Sequence, residues 1–367
     1  MRMKDTADVL LISRKWPPAV GGMERSTYDL AQRLAEVRTL DTIVLPGRPN
    51  GSAPGGLAIS RFGLATAAQL LVRAPVPIIH VADIASWPLG WIASLRHRKS
   101  RIILSAHGSD LSYALRGGWR AKLYDAYVRF GARRLRHATV IANSQWIAGL
   151  AREAGWTSVV TVPLAVSQAE PGTAADHNNA LLFAGRIMVD KGLSFIVERV
   201  LPLLDQRTRI RVAGPIWEQD EARVLDHRRV DYLGRLSSDE LAREYRSALC
   251  VVVPSLAPEG FGLAAAEAAV AGGVVVASNH SGLTDAVPTE SGFLVEAGEP
   301  QQWAQQIREI AGWSKDKRST FVRRSRSAAA KRFSWARVVK DVLSVYDSEP
   351  ELPKRPRSPQ APSALAR

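Results

Sequence analysis

Cysteine is nearly absent. The 367 residues contain one, Cys250, so an intrachain disulfide or a cysteine-built metal site within the chain is excluded. No D-x-D motif and no His/Asp cluster offers a metal site either. No run approaches the roughly 18 apolar residues that mark a membrane-crossing helix. The opening Met1-Arg-Met-Lys-Asp-Thr-Ala-Asp8 leads into an apolar run that stops at Arg14-Lys15, too short for the core of a secretion signal, and a cytosolic setting is expected. There is no G-x-G-x-x-G turn, which argues against a dinucleotide-dependent oxidoreductase. Zinc-module spacing and an RNA-binding aromatic motif are also missing, which argues against a nucleic-acid partner. Acidic residues are the scarcer charge: 35 Asp and Glu face 49 Lys and Arg, for a formal net charge of +14.

What is present is alternation. With 46% hydrophobic residues the chain has enough apolar material for two cores, and its length suits two domains. Residues 8–13 predict a strand and 23–37 a helix, with Leu30, Leu34 and Val37 on one face. Strands follow at 42–45, 78–81, 101–105 and 139–142. A second series begins at 180–184 and continues through 209–213, 230–233, 249–253 and 274–277. Strands alternating with helices predict parallel, doubly wound sheets, whose ligands bind beyond the carboxyl ends of strands. Gly21-Gly22, His107 and Asn143 follow strands in that sense. The polar stretch 167–179, with Pro171 and Gly172, is the expected linker between domains at 1–166 and 180–333. The Pro-, Ser- and charge-rich stretch 347–367 is an expected disordered tail.

The most informative segment is Pro254-Ser-Leu-Ala-Pro-Glu-Gly-Phe-Gly-Leu-Ala-Ala-Ala-Glu267. An apolar strand precedes it, and the alanine-rich run 263–271 predicts a helix. Strand, glycine turn and helix aim free backbone N–H groups and the positive end of a helix dipole at an anion. Glu267 then lies about 8 Å along the helix, roughly the span from a diphosphate at its mouth to a ribose beside it. Glu259, at the mouth, faces the other end of such a ligand. A nucleotide diphosphate sugar has that shape. A glycine turn before a helix is nevertheless common in α/β proteins, and a glutamate on an alanine helix is as readily solvated, so the spacing alone leaves both readings open.

Other segments extend the pattern in order: Pro17-Pro-Ala-Val-Gly-Gly-Met-Glu24, Ala106-His-Gly-Ser-Asp110, Ala142-Asn-Ser144, Phe183-Ala-Gly-Arg-Ile-Met-Val-Asp-Lys-Gly192 and Gly292-Phe-Leu-Val295. Together they resemble the retaining glycosyltransferases of family 4, over roughly residues 9–333. The resemblance implies the GT-B architecture: an α/β fold of two Rossmann-like doubly wound domains facing across a cleft. The first domain is then on the acceptor side and the second binds the nucleotide sugar, with a helix at 334–346 crossing back to the first. It implies donor contacts from Gly21, Gly22, Arg186, Lys191, Glu259, Gly260, Phe261, Gly262, Leu263 and Glu267. His107, Glu259, Arg186 and Lys191 would be catalytic through positioning and charge, with Glu259 on sugar hydroxyls and His107 beside the donor sugar. Asp110 could join it there, but a simple helix cap is the stronger reading for that residue. No metal is expected, because Arg186, Lys191 and a helix terminus can take the place of a divalent ion; no cofactor is expected beyond the co-substrate, and UDP is the favoured nucleotide. The chain departs from the family pattern at Pro258, which lengthens the loop, at Gly273-Val274, and at Asp285, where Glu is usual.

The positive excess is concentrated in 91–137 and 311–340. The first stretch carries Trp91, Trp119, Tyr124, Tyr127 and Phe130 among its bases, a mixture suited to an anionic membrane surface. Arg116, Arg120, Arg129, Arg133, Arg134 and Arg136 are the expected membrane-facing residues, although such a cluster is also an ordinary solvated face. The expected function is therefore sugar transfer to a lipid-linked or glycan acceptor in bacterial envelope or exopolysaccharide assembly, on the inner face of the cell membrane. A soluble enzyme decorating a small molecule and a basic nucleic-acid-binding protein are the alternatives.

Overall fold

The computed structural model describes residues 7–19, 21–167 and 178–348. The expected linker and tail lie almost wholly outside them. Among the described residues twelve strands form two sheets, all parallel. The first sheet contains β1 (Val9–Trp16), β2 (Leu40–Pro46), β3 (Ile78–Val81), β4 (Arg101–Ala106), β5 (Thr139–Ala142) and β6 (Ser158–Thr161), in the order β2-β1-β3-β4-β5-β6. The second contains β7 (Ala180–Ala184), β8 (Arg209–Ala213), β9 (Val230–Gly234), β10 (Cys250–Val253), β11 (Val275–Ser278) and β12 (Gly292–Val295), in the order β12-β11-β10-β7-β8-β9. Two edge strands, β6 and β12, are absent from the sequence reading. Each is four residues long and neither shows a full period of alternation, so only pairing with β5 and β11 makes them strands.

Each sheet is apolar on both faces, as a parallel sheet covered by helices must be. In β1, Leu10 and Ile12 join one core with Ile79, Val81, Ile102, Leu104 and Trp87. Val9 points the other way, toward Leu34, Ile78 and Ile103. The second sheet repeats this: Leu181 and Phe183 pack in one cluster, Leu182 in another beneath the helix Leu263–Ala271. Strand order reverses between β1 and β3 in the first sheet and between β7 and β10 in the second. Those reversals open crevices at the carboxyl ends of the strands, where ligands of doubly wound sheets bind.

The last helix, Trp335–Asp347, belongs spatially to the first sheet. Val338, Val342, Val345 and Tyr346 close the core around Val9, Ile78 and Ile103. The Tyr346 hydroxyl meets His80 Nδ1 at 2.7 Å, and His80 Nε2 meets Ser105 Oγ at 2.8 Å. Just before that helix the amide of Val166 donates to the carbonyl of Phe333 at 3.0 Å. The two passages of the chain between the sheets therefore run side by side.

His80 is fully enclosed, and burial, with His107 nearby as the lesser cause, pushes its imidazole from 6.5 to about 3. The unfolded chain takes up a proton near pH 6.5 that the folded chain refuses, so stability falls as pH drops from that value toward about 3. Between about pH 7 and pH 5 this single group should cost about 2 kcal/mol. Urea midpoints at the two pH values should therefore move further apart in the wild type than in His80→Gln.

Candidate active site

The second crevice is built from the loops that follow β7 and β10. After β7 the chain turns through Gly185-Arg186 and a single helical turn, Val189–Lys191, and the Asp190 carbonyl accepts the amide of Leu256 at 2.9 Å. That bond ties the two loops together and brings Lys191 Nζ within 2.7 Å of Glu259 Oε1. Ser255 Oγ donates to the same oxygen. Burial would raise the Glu259 carboxyl, but the Lys191 ammonium outweighs it, with help from Ser255 and the Arg186 charge, and holds the group below the usual carboxylate range. Glu259, its side chain 14% exposed, is therefore a largely enclosed anion with fixed partners. The Arg186 guanidinium lies over Trp217, 4.6 Å from the ring centroid.

Two helices begin at this crevice, and one of them is already occupied. The buried carboxylate of Glu221 accepts the amide of Ser194 at 2.8 Å, at the start of the helix after β7. The helix Leu263–Ala271 has no side-chain cap: it opens from Gly262 in the left-handed region, at φ 100°. A side chain there would be strained and would strike Leu283, so glycine leaves this terminus bare. Its amides are open to an anion.

Glu267 lies one side of that helix, half-buried, with the Tyr245 hydroxyl 3.4 Å away. Burial raises its carboxyl, and the Arg25 charge and Tyr245 offset this only in part. Arg25 comes from the helix Gly22–Ala35 of the first sheet and is absent from the sequence reading.

The two halves touch through glycine. A Cβ on Gly260 would stand 2.2 Å from the His107 carbonyl oxygen and 2.8 Å from Gly108 Cα; one on Gly22 would stand 2.7 Å from Leu263 Cδ1. Gly22, His107, Gly260 and Leu263 thus converge across the cleft. Gly21 instead faces its own helix, where a Cβ would meet the Glu24 carboxylate at 2.2 Å. Phe261 is turned away from the cleft into the core, edge-on to Phe333 at 5.7 Å between centroids. The Asp110 carboxylate accepts the amides of His107 and Gly108 at 3.0 and 2.7 Å, so it shapes the His107 loop as a cap. His107 Nε2 lies 2.9 Å from the Ala82 carbonyl, which can only accept, so Nε2 carries the proton. Its Nδ1 is then an acceptor, buried and without a partner among the described residues. Asn143 donates to the His107 carbonyl at 2.6 Å, and its own Oδ1 is likewise unpartnered.

Three further residues, none of them among the expected site residues, hold Glu259. Its amide donates to Ser281 Oγ at 2.9 Å. His280 Nε2 meets the Ser255 carbonyl at 2.8 Å and must donate there, leaving Nδ1, 2.9 Å from Ser281 Oγ, to accept. Ser255, His280 and Ser281 so close a ring of hydrogen bonds around one loop. Ser281 does this at φ 53°, a conformation uncommon for a residue with a side chain. In the sequence Ser255 lies inside the segment 254–267 and Ser281 opens the segment that ends at Asp285, but nothing there joins either to Glu259. Asp285, further on, accepts the amide of Gln145 at 2.8 Å and so caps a helix of the opposite half.

Of the six arginines expected at a membrane, Arg116 and Arg120 are exposed beside Tyr113 and Trp119. Arg129 is engaged by Asp125 and the Glu153 carbonyl, at 2.7 and 2.6 Å. Arg134 stacks on Trp91 and Phe130, while Arg133 and Arg136 face solvent. Among the described residues no group of three or more His, Cys, Asp or Glu side chains converges as a metal site would require.

Residues 5–165 match the family model described as glycosyl transferase 4-like domain, and residues 178–312 match glycosyl transferases group 1. The chain belongs to the group 1 glycosyltransferases. It is 27% identical over 363 residues to the D-inositol 3-phosphate glycosyltransferase of Salinispora tropica, covering 84% of this chain and 72% of that one. An uncharacterised glycosyltransferase of Methanocaldococcus jannaschii is 28% identical over 179 residues, but the match covers 47% of this chain and only 45% of the relative. Among solved structures, Anabaena HepE in complex with UDP and glucose superposes with a TM-score of 0.71 at 19% identity, over 94% of this chain and 100% of that one. Sucrose-phosphate synthase of Thermosynechococcus elongatus gives 0.73 at 20%, over 92% and 98%. These likenesses establish the GT-B fold of two α/β units facing across a cleft.

Replacing Ser281 by Gly should separate stability from activity in this glycosyltransferase. The variant relieves about 1 kcal/mol of left-handed strain and loses two hydrogen bonds, each worth about 1 kcal/mol. Its melting temperature should fall by only a few degrees, while turnover drops about ten-fold because the Glu259 loop loses its anchor. Equal turnover in a calorimetrically matched pair would remove Ser281 from the site.

Proposed function

We propose that this protein moves a sugar from a nucleotide diphosphate sugar, UDP being the favoured nucleotide, to a lipid-linked or polysaccharide acceptor of the bacterial envelope or exopolysaccharide. The anomeric configuration is retained and no metal is needed. The observation that carries the reading is the cluster of Arg186, Lys191 and ionised Glu259 at the bare mouth of the helix Leu263–Ala271. The HepE complexes with UDP and with UDP-glucose support the class of donor.

The chemistry follows from charge. As the sugar–phosphate bond breaks, negative charge grows on the leaving oxygen, and the two cations with the helix amides stabilise that state more than the bound donor. The acceptor oxygen bonds to the anomeric carbon on the face the diphosphate leaves, through an oxocarbenium-like state. The acceptor's proton passes to the departing phosphate oxygen. Glu259, kept anionic, accepts from sugar hydroxyls and shares Lys191 with the donor. His107 offers its Nδ1 lone pair to another hydroxyl, and Glu267 accepts from the ribose.

A second reading takes a small phosphorylated polyol as acceptor, because several relatives are D-inositol 3-phosphate glycosyltransferases. Product analysis with vesicle-embedded and soluble acceptors separates the two.

Arg186→Ala should lower turnover about 10²-fold with an unchanged melting temperature, and wild-type turnover should persist in EDTA. Lys191→Ala should lose as much turnover and some stability as well, since Glu259 is left buried without its cation. Glu267→Gln should weaken UDP binding measured by calorimetry while the product keeps the donor's anomeric configuration. Equal affinity in that variant would remove the ribose assignment.

A further inference from the structure

We infer that one face of the first unit, formed by the helices Gly56–Val72, Trp87–Arg96 and Gly118–Arg134, docks on an anionic lipid bilayer by inserting leucines. The inference rests on the lipid-linked reading of the acceptor only for the reason such docking is useful; its residues are others. The helix Gly56–Val72 is apolar on its outer side as well as its inner one. Phe62 and Leu70 face the core, while Leu57, Leu64, Leu71 and Val72 are 69, 74, 53 and 85% exposed. A helix apolar all round belongs in a core or a membrane, and this one has solvent where its second neighbour should be. Beside it, Leu95 on the second helix and Trp119, Leu123 and Phe130 on the third are exposed too, Trp119 at 71%. The second helix packs against both of the others, so these side chains share one face.

Charge identifies the occupant. Between Asp41 and Asp125 the chain has only two acidic residues, Asp83 and Asp110. Both are buried, with Asp83 held by Arg14 at 3.0 Å and Asp110 by backbone amides. The one carboxylate on these three helices, Asp125, is paired with Arg129 at 2.7 Å, so the exposed Arg61, Arg96, Arg116 and Arg120 leave the face with a positive excess. A surface of leucines, an indole and excess arginine suits anionic headgroups over acyl chains. It repels a second copy of itself. A groove lined by Lys15, Ile59, Ser109, Tyr113, Tyr124 and Tyr127 starts on this face and runs to the residues beside His107. A headgroup-linked acceptor lying in it reaches the cleft without leaving the bilayer.

The test is flotation of the full chain with phosphatidylcholine vesicles, with or without phosphatidylglycerol. Binding should require the anionic lipid, weaken as salt screens the arginines, and persist in part because the leucines do not respond to salt. Brominated acyl chains should quench tryptophan emission. Leu57→Ser, Leu64→Ser and Leu71→Ser together should lower partitioning about ten-fold or more, with UDP affinity and melting temperature unchanged. Wild type that stays in solution with anionic vesicles at low salt overturns the inference, as does a triple variant that binds equally well. A wild-type dimer that the triple variant dissolves assigns the face to a second copy and also overturns it. Calorimetry with UDP on the same samples reports separately on the transferase reading.

Discussion

A carboxylate largely withdrawn from water constrains everything near it, and Glu259 is the one around which this site is arranged. An ion removed from water needs its charge matched and its lone pairs filled, or it reverts to the neutral acid. Lys191 supplies the charge and Ser255 a proton donor, while Ser281 fixes the backbone from which Glu259 projects. Those residues come from three separate loops, after β7, β10 and β11. Their agreement forces the carboxyl ends of three adjacent strands into one geometry. The anion is therefore also the reason the loops are ordered.

The opposite half contributes closeness rather than charge. Gly108, meeting Gly260, allows main chain to lie against main chain, and Gly22 leaves room for the Leu263 side chain. Asp285 then caps the Gln145–Glu153 helix from across the cleft, next to Ser144, which caps it from within. Burying that carboxylate is tolerable because it meets an orphan amide at the positive end of a helix.

Much of this was legible in the sequence. Ten of the twelve strands are visible as apolar runs, and the helix Leu263–Ala271 matches the alanine run residue for residue. The glycine turns, Arg186, Lys191 and Glu259 stand at positions that strand–turn–helix logic can find, and the structure brings Lys191 and Glu259 into contact. Residues that act through a fold were not legible. His280 and Ser281 matter because β11 ends beside β10, and Arg25 faces Glu267 only once two sheets confront each other. The helix Gly56–Val72 escaped notice because it lacks the one-sided pattern by which a helix is recognised, the same property that leaves leucines on its outer side. Phe261 shows the converse: a residue inside a recognised motif can serve the core.

The hydrogen bond between Val166 and Phe333 bears on how the halves can move. The chain passes from the first sheet to the second just beyond Val166 and returns at Phe333, so both tethers cross at one pinned point. Two bodies joined at a single point keep their freedom to rotate but lose most of their freedom to translate. Opening of the cleft is thereby reduced to a swing about that pivot. Phe261, the neighbour of Gly260, packs on Phe333 at that pivot, so the main-chain contact between the halves sits close to the hinge, where a swing displaces it least.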